Sequence, residues 1–246
     1  MRLIGTFFAS GFFSLYLMLL QFAILFVLCG IKAPFYWAYL AGEAGYIEIL
    51  TPIVYGVAAA FGFAILCRSN AFPATWIGVW FGAFTIGCIY VAGEEISWGQ
   101  HIFGWESGDF FKSYNEQSET NLHNIRGPLK NTPKLFVEIF ALLAGVIWVV
   151  VMHVRKQRYV RPEIWSFWIY PGSVAFVAAL LAIVAIFPDR IGHLVDLDSL
   201  GYFNHGPGFK EIQELYFAFF FLLYGVTVHR RLLGQCRDRH PLGSHH

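Results

Sequence analysis

One stretch of the chain concentrates groups suited to acid–base chemistry. Gly93, Glu94, Glu95, Ile96, Ser97, Trp98, Gly99, Gln100 and His101 follow directly on a long apolar run. If that run continues as a helix, Glu94, Trp98 and His101 stand at i, i+4 and i+7 and fall within about 60° of one another, while Glu95 points elsewhere. A carboxylate, an imidazole and an indole on one face at a membrane boundary form a partly desolvated setting in which an acid can exchange protons. The plain alternative is that Trp98 is a belt residue and the two Glu end the span among headgroups.

The following segment NEQSETNLHNI adds Glu116, Ser118, Glu119, Asn121, His123 and Asn124. In a helix Glu119 and His123 would be i, i+4, a spacing at which a carboxylate orients an imidazole or both take one metal. By itself such a segment reads equally well as a solvated surface helix. A third polar group comprises Asp189, His193, Asp196, Asp198 and His205, followed by Glu211 and Glu214. Pro188 and Asp189 predict a helix start, which puts His193 one turn after Asp189. Asp196, Asp198 and Gly201 fail as a calcium loop, because the fifth and twelfth positions are Leu200 and Pro207.

Carboxylates and imidazoles converging from neighbouring helices are how bundles hold zinc or a pair of metals. A divalent metal such as zinc is therefore a candidate cofactor, with Glu94, His101, His123, His193 and Glu214 as the ligand set. The sequence contains no HExxH, no ferritin-type ExxH and no HxxxH series. Glu48 and Glu138 bring further acids to a similar depth, and Lys134 at i−4 is the expected partner of Glu138.

These groups need elements to carry them, and composition says which. Of 246 residues, 57% are hydrophobic and 13% charged, with 26 Phe and 8 Trp, too little charge to cover a water-exposed globule. Six apolar runs long enough to span a bilayer occupy about 5–30, 50–67, 74–93, 135–154, 166–187 and 211–229. The expected fold is all-α: a polytopic membrane protein, a single domain over 1–240 built as six transmembrane helices, with polar outer loops 94–134 and 188–210. Residues 241–246, PLGSHH, read as an expression-tag remnant. Gly78 and Gly82 form a GxxxG that predicts a close helix crossing.

Ten of the 17 basic residues, Arg2, Arg68, Arg155, Lys156, Arg158, Arg161, Arg230, Arg231, Arg237 and Arg239, fall in short segments on one side. By the positive-inside rule that side and both termini are cytoplasmic. Fourteen of the 16 acids fall on the other side, with His101, His123, His193 and His205. The net charge of +1 offers no basic field for nucleic acid, and four dispersed Cys form no CxxC.

GEEISWGQHIFGW and SETNLHNI together resemble paired motifs in a group of uncharacterised bacterial multipass membrane proteins. The resemblance implies a membrane protein with its polar site at Glu94, Glu95, His101, Glu119, Asn121 and His123, and no particular reaction. Alkaline ceramidases are similar in architecture only, since their HxxxH signature is absent here.

The expected function is an enzyme of a bacterial inner membrane, a hydrolase or group transferase acting on a lipid or lipid-linked substrate at the periplasmic face. Glu94, Glu95, His101, Glu119 and His123 are the candidate catalytic groups, and Trp98, Gln100, Asn121 and Asn124 the candidate substrate contacts. An ion- or proton-coupled transporter and a non-catalytic subunit of a membrane complex are the alternatives. Membrane lipid is the expected partner, and the sequence names no protein partner.

Overall fold

The computed structural model describes residues 2–41, 45–115, 118–122, 125, 132–155, 163–195 and 208–239, with side chains at all of these except 2–14, 101, 132, 133, 192–195 and 236–239. The described residues are helical throughout, apart from turns and one antiparallel bridge between Asn115 and Ile125. Eleven α-helices follow in order: α1 Arg2–Gly30, α2 Tyr46–Leu66, α3 Thr75–Glu95, α4 Gln100–Phe103, α5 Asp109–Tyr114, α6 Thr132–Phe140, α7 Trp148–Val154, α8 Ser166–Ile169, α9 Ser173–Ala185, α10 Phe187–Val195 and α11 Gly208–Arg239. A π-helical stretch, Ala141–Ile147, joins α6 to α7.

Five stretches among the described residues are long and apolar enough to cross a membrane: Tyr46–Leu66, Thr75–Glu95, Lys134–Val154, Ser173–Ile191 and Gly208–Gln235. Leu15–Gly30 within α1 is a shorter apolar stretch, lying along the expected span 5–30. The protein is therefore an all-helical membrane protein. Large side chains such as Ile53, Phe63, Val79 and Ile86 face outward, where water would penalise them and lipid does not.

The expected span 166–187 is divided. Pro171 offers no backbone N–H and turns Tyr170 to an extended conformation (ψ 134°), so α8 ends at Ile169 and α9 starts afresh at Ser173. Arg231 closes this break by donating to the carbonyls of Phe167 and Tyr170, the latter at 2.9 Å. The predicted helix start at Pro188 and Asp189 falls in the first turn of α10.

α11 is the central post, packed against α2 and α9, while α2 packs on α3. Its buried face runs through Ile212, Leu215, Tyr216, Phe220, Tyr224 and Val228. α9 answers with alanines, Ala175, Ala178, Ala179, Ala182 and Ala185, all fully buried, which let the backbones approach. Gly78 and Gly82 do not mediate a close crossing: a Cβ at Gly82 meets nothing within 4 Å, and one at Gly78 only Ser69 at 3.9 Å. Close approach occurs instead at Gly62, where a Cβ would lie 2.3 Å from the Thr85 hydroxyl, and at Gly145, 2.7 Å from Ala179.

Candidate functional site

The polar residues around the C-terminal end of α3 divide into two regions, and α3 delivers one acid to each. The helix does not continue through His101 as the face argument assumed. It ends at Glu95, and Ser97 (φ 47°), Trp98 (φ 54°) and Gly99 (φ 88°) take left-handed backbone in succession before α4. Two non-glycine residues in that region cost about 1–2 kcal/mol each. The reversal is held by what it brings together.

The Trp98 ring folds back over Gly93, where a Cβ would sit 2.8 Å from the indole. Only glycine admits it there. Trp98 Nε1 then donates to Glu94 Oε1 at 2.8 Å, and the Leu122 backbone N–H donates to Glu94 Oε2 at 2.5 Å. Ser97 Oγ donates to Glu119 Oε2 at 2.7 Å, and Asn121 Nδ2 reaches both Ser97 Oγ (2.9 Å) and Glu119 Oε2 (2.7 Å). Asn115 Nδ2 donates to the backbone and side-chain oxygens of Asn121, both at 2.8 Å, while Asn115 Oδ1 accepts from the Glu119 N–H at 3.2 Å. Gln100 Oε1 accepts from the Thr120 N–H at 2.7 Å, and Ser107 Oγ donates to the Ser118 carbonyl.

Glu94, Ser97, Asn115 and Asn121 are all buried in this knot. The two sequence motifs are thus the two halves of one lock, which clamps Asn115 and residues 118–122 onto the end of α3. Residues 118–122 form no helix, so the i, i+4 premise for Glu119 and His123 does not hold there. The structure brings together Glu94, Trp98, Gln100, Glu119 and Asn121 from the expected set. His123 and Asn124 lie outside the described residues, as do the side chains of His101 and His193. Sequence reasoning passed over Ser97 and Asn115, although the first lies inside the motif that drew attention.

Glu95 leaves the knot and faces the bundle. Its electrostatic neighbours are Glu214 on α11, Lys134 on α6, Glu48 on α2 and Glu94. Lys134 Nζ pairs with Glu214 Oε1 at 2.8 Å rather than with Glu138. Glu138 instead accepts from Arg190 at 2.6 Å and from Gln213 Nε2 at 2.9 Å, so cross-helix partners displace the expected i−4 lysine. The buried phenol of Tyr55 on α2 lies near Glu95, Cys88 and Glu214. A sequence signal for Tyr55 existed: it stands seven residues after Glu48 and so on the same side of α2.

Pro52 lies between these two residues and withholds the N–H that would bond the Glu48 carbonyl. Glu95 thus lies within electrostatic reach of Glu214, Lys134 and Glu48, and of these Lys134 and Glu214 are paired with each other.

Glu94 and Glu214, two of the expected metal ligands, have different partners. Among the described residues no three His, Cys, Asp or Glu side chains come together as a metal site. Comparison with protein families, with characterised proteins and with solved structures finds no match to this chain.

Proposed function

We propose that the protein is a six-span enzyme of a bacterial inner membrane, with both termini cytoplasmic. In this reading it hydrolyses or transfers a group on a lipid or lipid-linked substrate at the periplasmic face. The observation that carries the reading is the placement of Glu95 within electrostatic reach of Glu214, Lys134 and Glu48, which come from three other helices. A carboxylate in the field of two others and an ammonium can hold a proton and pass it on, which is what general acid–base catalysis requires.

Glu95 takes the part first considered for Glu94, because both oxygens of Glu94 already accept hydrogen bonds from Trp98 and Leu122. Glu95 would take a proton from an attacking water or hydroxyl as the new bond to the substrate's phosphorus or acyl carbon forms. It would return that proton to the departing alcohol. Lys134 supplies positive charge for the oxygen on which negative charge develops.

The test is turnover in proteoliposomes of phosphatidylethanolamine, phosphatidylglycerol and cardiolipin, with lipid products followed by mass spectrometry. Wild-type protein is expected to release a headgroup or acyl product. Glu95→Gln is expected to lower the rate by about 100-fold or more, and Lys112→Ala to leave it unchanged. Absence of any wild-type product, or full activity in Glu95→Gln, overturns the proposal.

A further inference from the structure

A second feature lies on the membrane-facing side, apart from Glu95. Between α6, α9 and α11 runs a groove of about 220 Å³ walled by Leu135, Ile139, Leu142, Ile183 and Ile186. Leu135, Ile139 and Leu142 are exposed at its edge, so it opens toward lipid rather than into the bundle. Its polar end is formed by Glu138, Arg190 and Gln213.

Gln213 is fully buried, and its Nε2 donates to Glu138 Oε1 at 2.9 Å. That bond fixes the amide orientation, since turning it would set two oxygens against each other. Gln213 Oε1 is then a buried acceptor with no donor, an arrangement native proteins seldom leave unfilled. Arg190, 55% exposed, pairs with Glu138 on one side and presents its remaining N–H groups outward.

From this we infer that the groove holds one phospholipid with a primary-amine headgroup. An acyl chain lies along the leucine and isoleucine walls, the phosphate meets Arg190, and the ammonium donates to Gln213 Oε1 beside Glu138. The polar end carries one positive and one negative side chain, so its complement is a zwitterion. A phosphatidylcholine headgroup is a zwitterion without N–H donors, and phosphatidylglycerol brings hydroxyls but no ammonium. The site is independent of the reaction proposed at Glu95 and stands whether or not the protein is an enzyme.

Native mass spectrometry of the delipidated full chain tests it, with dioleoyl phosphatidylethanolamine, phosphatidylcholine and phosphatidylglycerol offered separately at equal concentration. The expected result is one saturable phosphatidylethanolamine adduct, at least five-fold tighter than either other lipid. Arg190→Gln and Gln213→Leu are each expected to abolish that preference while the purified variants keep the wild-type elution volume and helical content. Arg190 is the safer variant, because its side chain is half exposed. Equal binding of the choline lipid, tighter binding of the glycerol lipid, or a preference that survives in folded Arg190→Gln protein overturns the assignment.

Discussion

Glu94 and Glu95 are adjacent in the chain and end in opposite circumstances. Glu94 turns outward into a knot whose members all come from residues 94–122, and both of its oxygens accept hydrogen bonds there. Glu95 turns inward, and its electrostatic neighbours Glu48, Lys134 and Glu214 stand on three other helices, far from it in sequence. A dense local motif has here built a strut, with the side chains of Ser97, Asn115, Glu119 and Asn121 bonded to one another. The dispersed acids come from separate helices and meet only through the fold. Density of polar residues in a sequence is thus a guide to where a chain is clamped. Chemistry needs groups whose bonding capacity is not already spent.

The comparison can be broken most sharply at Glu94. Glu94→Ala removes the acceptor for the Trp98 indole and the Leu122 amide, and hydrogen bonds to a charged partner contribute about 1.5–3 kcal/mol each. A loss of about 3–6 kcal/mol is expected, read as denaturant unfolding in mild detergent, together with new proteolytic cleavage between 104 and 122. Retained stability with lost turnover would reverse the assignment of the two acids. Glu95→Gln should behave the opposite way. Its stability is expected to stay within about 1 kcal/mol of wild type while turnover falls about 100-fold, or roughly 2.7 kcal/mol in barrier. A smaller effect is expected at the hinge between them. Gly93→Ala drives a methyl into the Trp98 ring, an overpacking that costs about 1–3 kcal/mol. A shifted tryptophan emission would show the ring displaced, and unchanged emission and stability would mean the indole is not wedged there.

What the sequence made legible follows the same division. Apolar runs announced the spans, because lipid demands length and composition that nothing else mimics. Contacts within a few residues were legible too: Glu94 and Trp98 were paired through an i, i+4 argument. The contact is real, although it is reached through a left-handed reversal at Ser97, Trp98 and Gly99 rather than a continuous helix. Pairings across helices were not. Lys134 stands one turn from Glu138 yet bonds Glu214, and Glu138 is met by Arg190 and Gln213. Periodicity gives a residue's face and says nothing of what the opposite helix presents. The same gap explains why GxxxG at Gly78 misled, while Gly62 and Gly145, each in the weaker AxxxG pattern after Ala58 and Ala141, sit at the tight crossings.

The smallest effect separates the knot from the ion pair nearest to it. Between the knot's two halves, Lys112 Nζ and Glu106 Oε2 lie 2.8 Å apart on the surface. The hydrogen bond and charge of Lys112 hold the Glu106 carboxyl below its ordinary value of 4.5, and those of Glu106 raise Lys112 above 10.5. The depressed carboxyl contributes stability that is present above pH 4.5 and lost as pH falls through its lowered value. The raised ammonium contributes stability that is present below pH 10.5 and lost as pH climbs through its raised value. Both windows lie far from neutrality, and both side chains are exposed, Lys112 about half, so solvent screens the pair strongly. If the knot holds residues 104–114 in place, Lys112→Ala leaves the Tm at pH 7 unchanged within error and proteolysis of that arm as slow as in wild type. If the arm instead depends on its ion pair, Lys112→Ala opens it to protease at pH 7. The hydrogen bonds among Ser97, Asn115, Glu119 and Asn121 would then be a consequence of the closed arm rather than its cause.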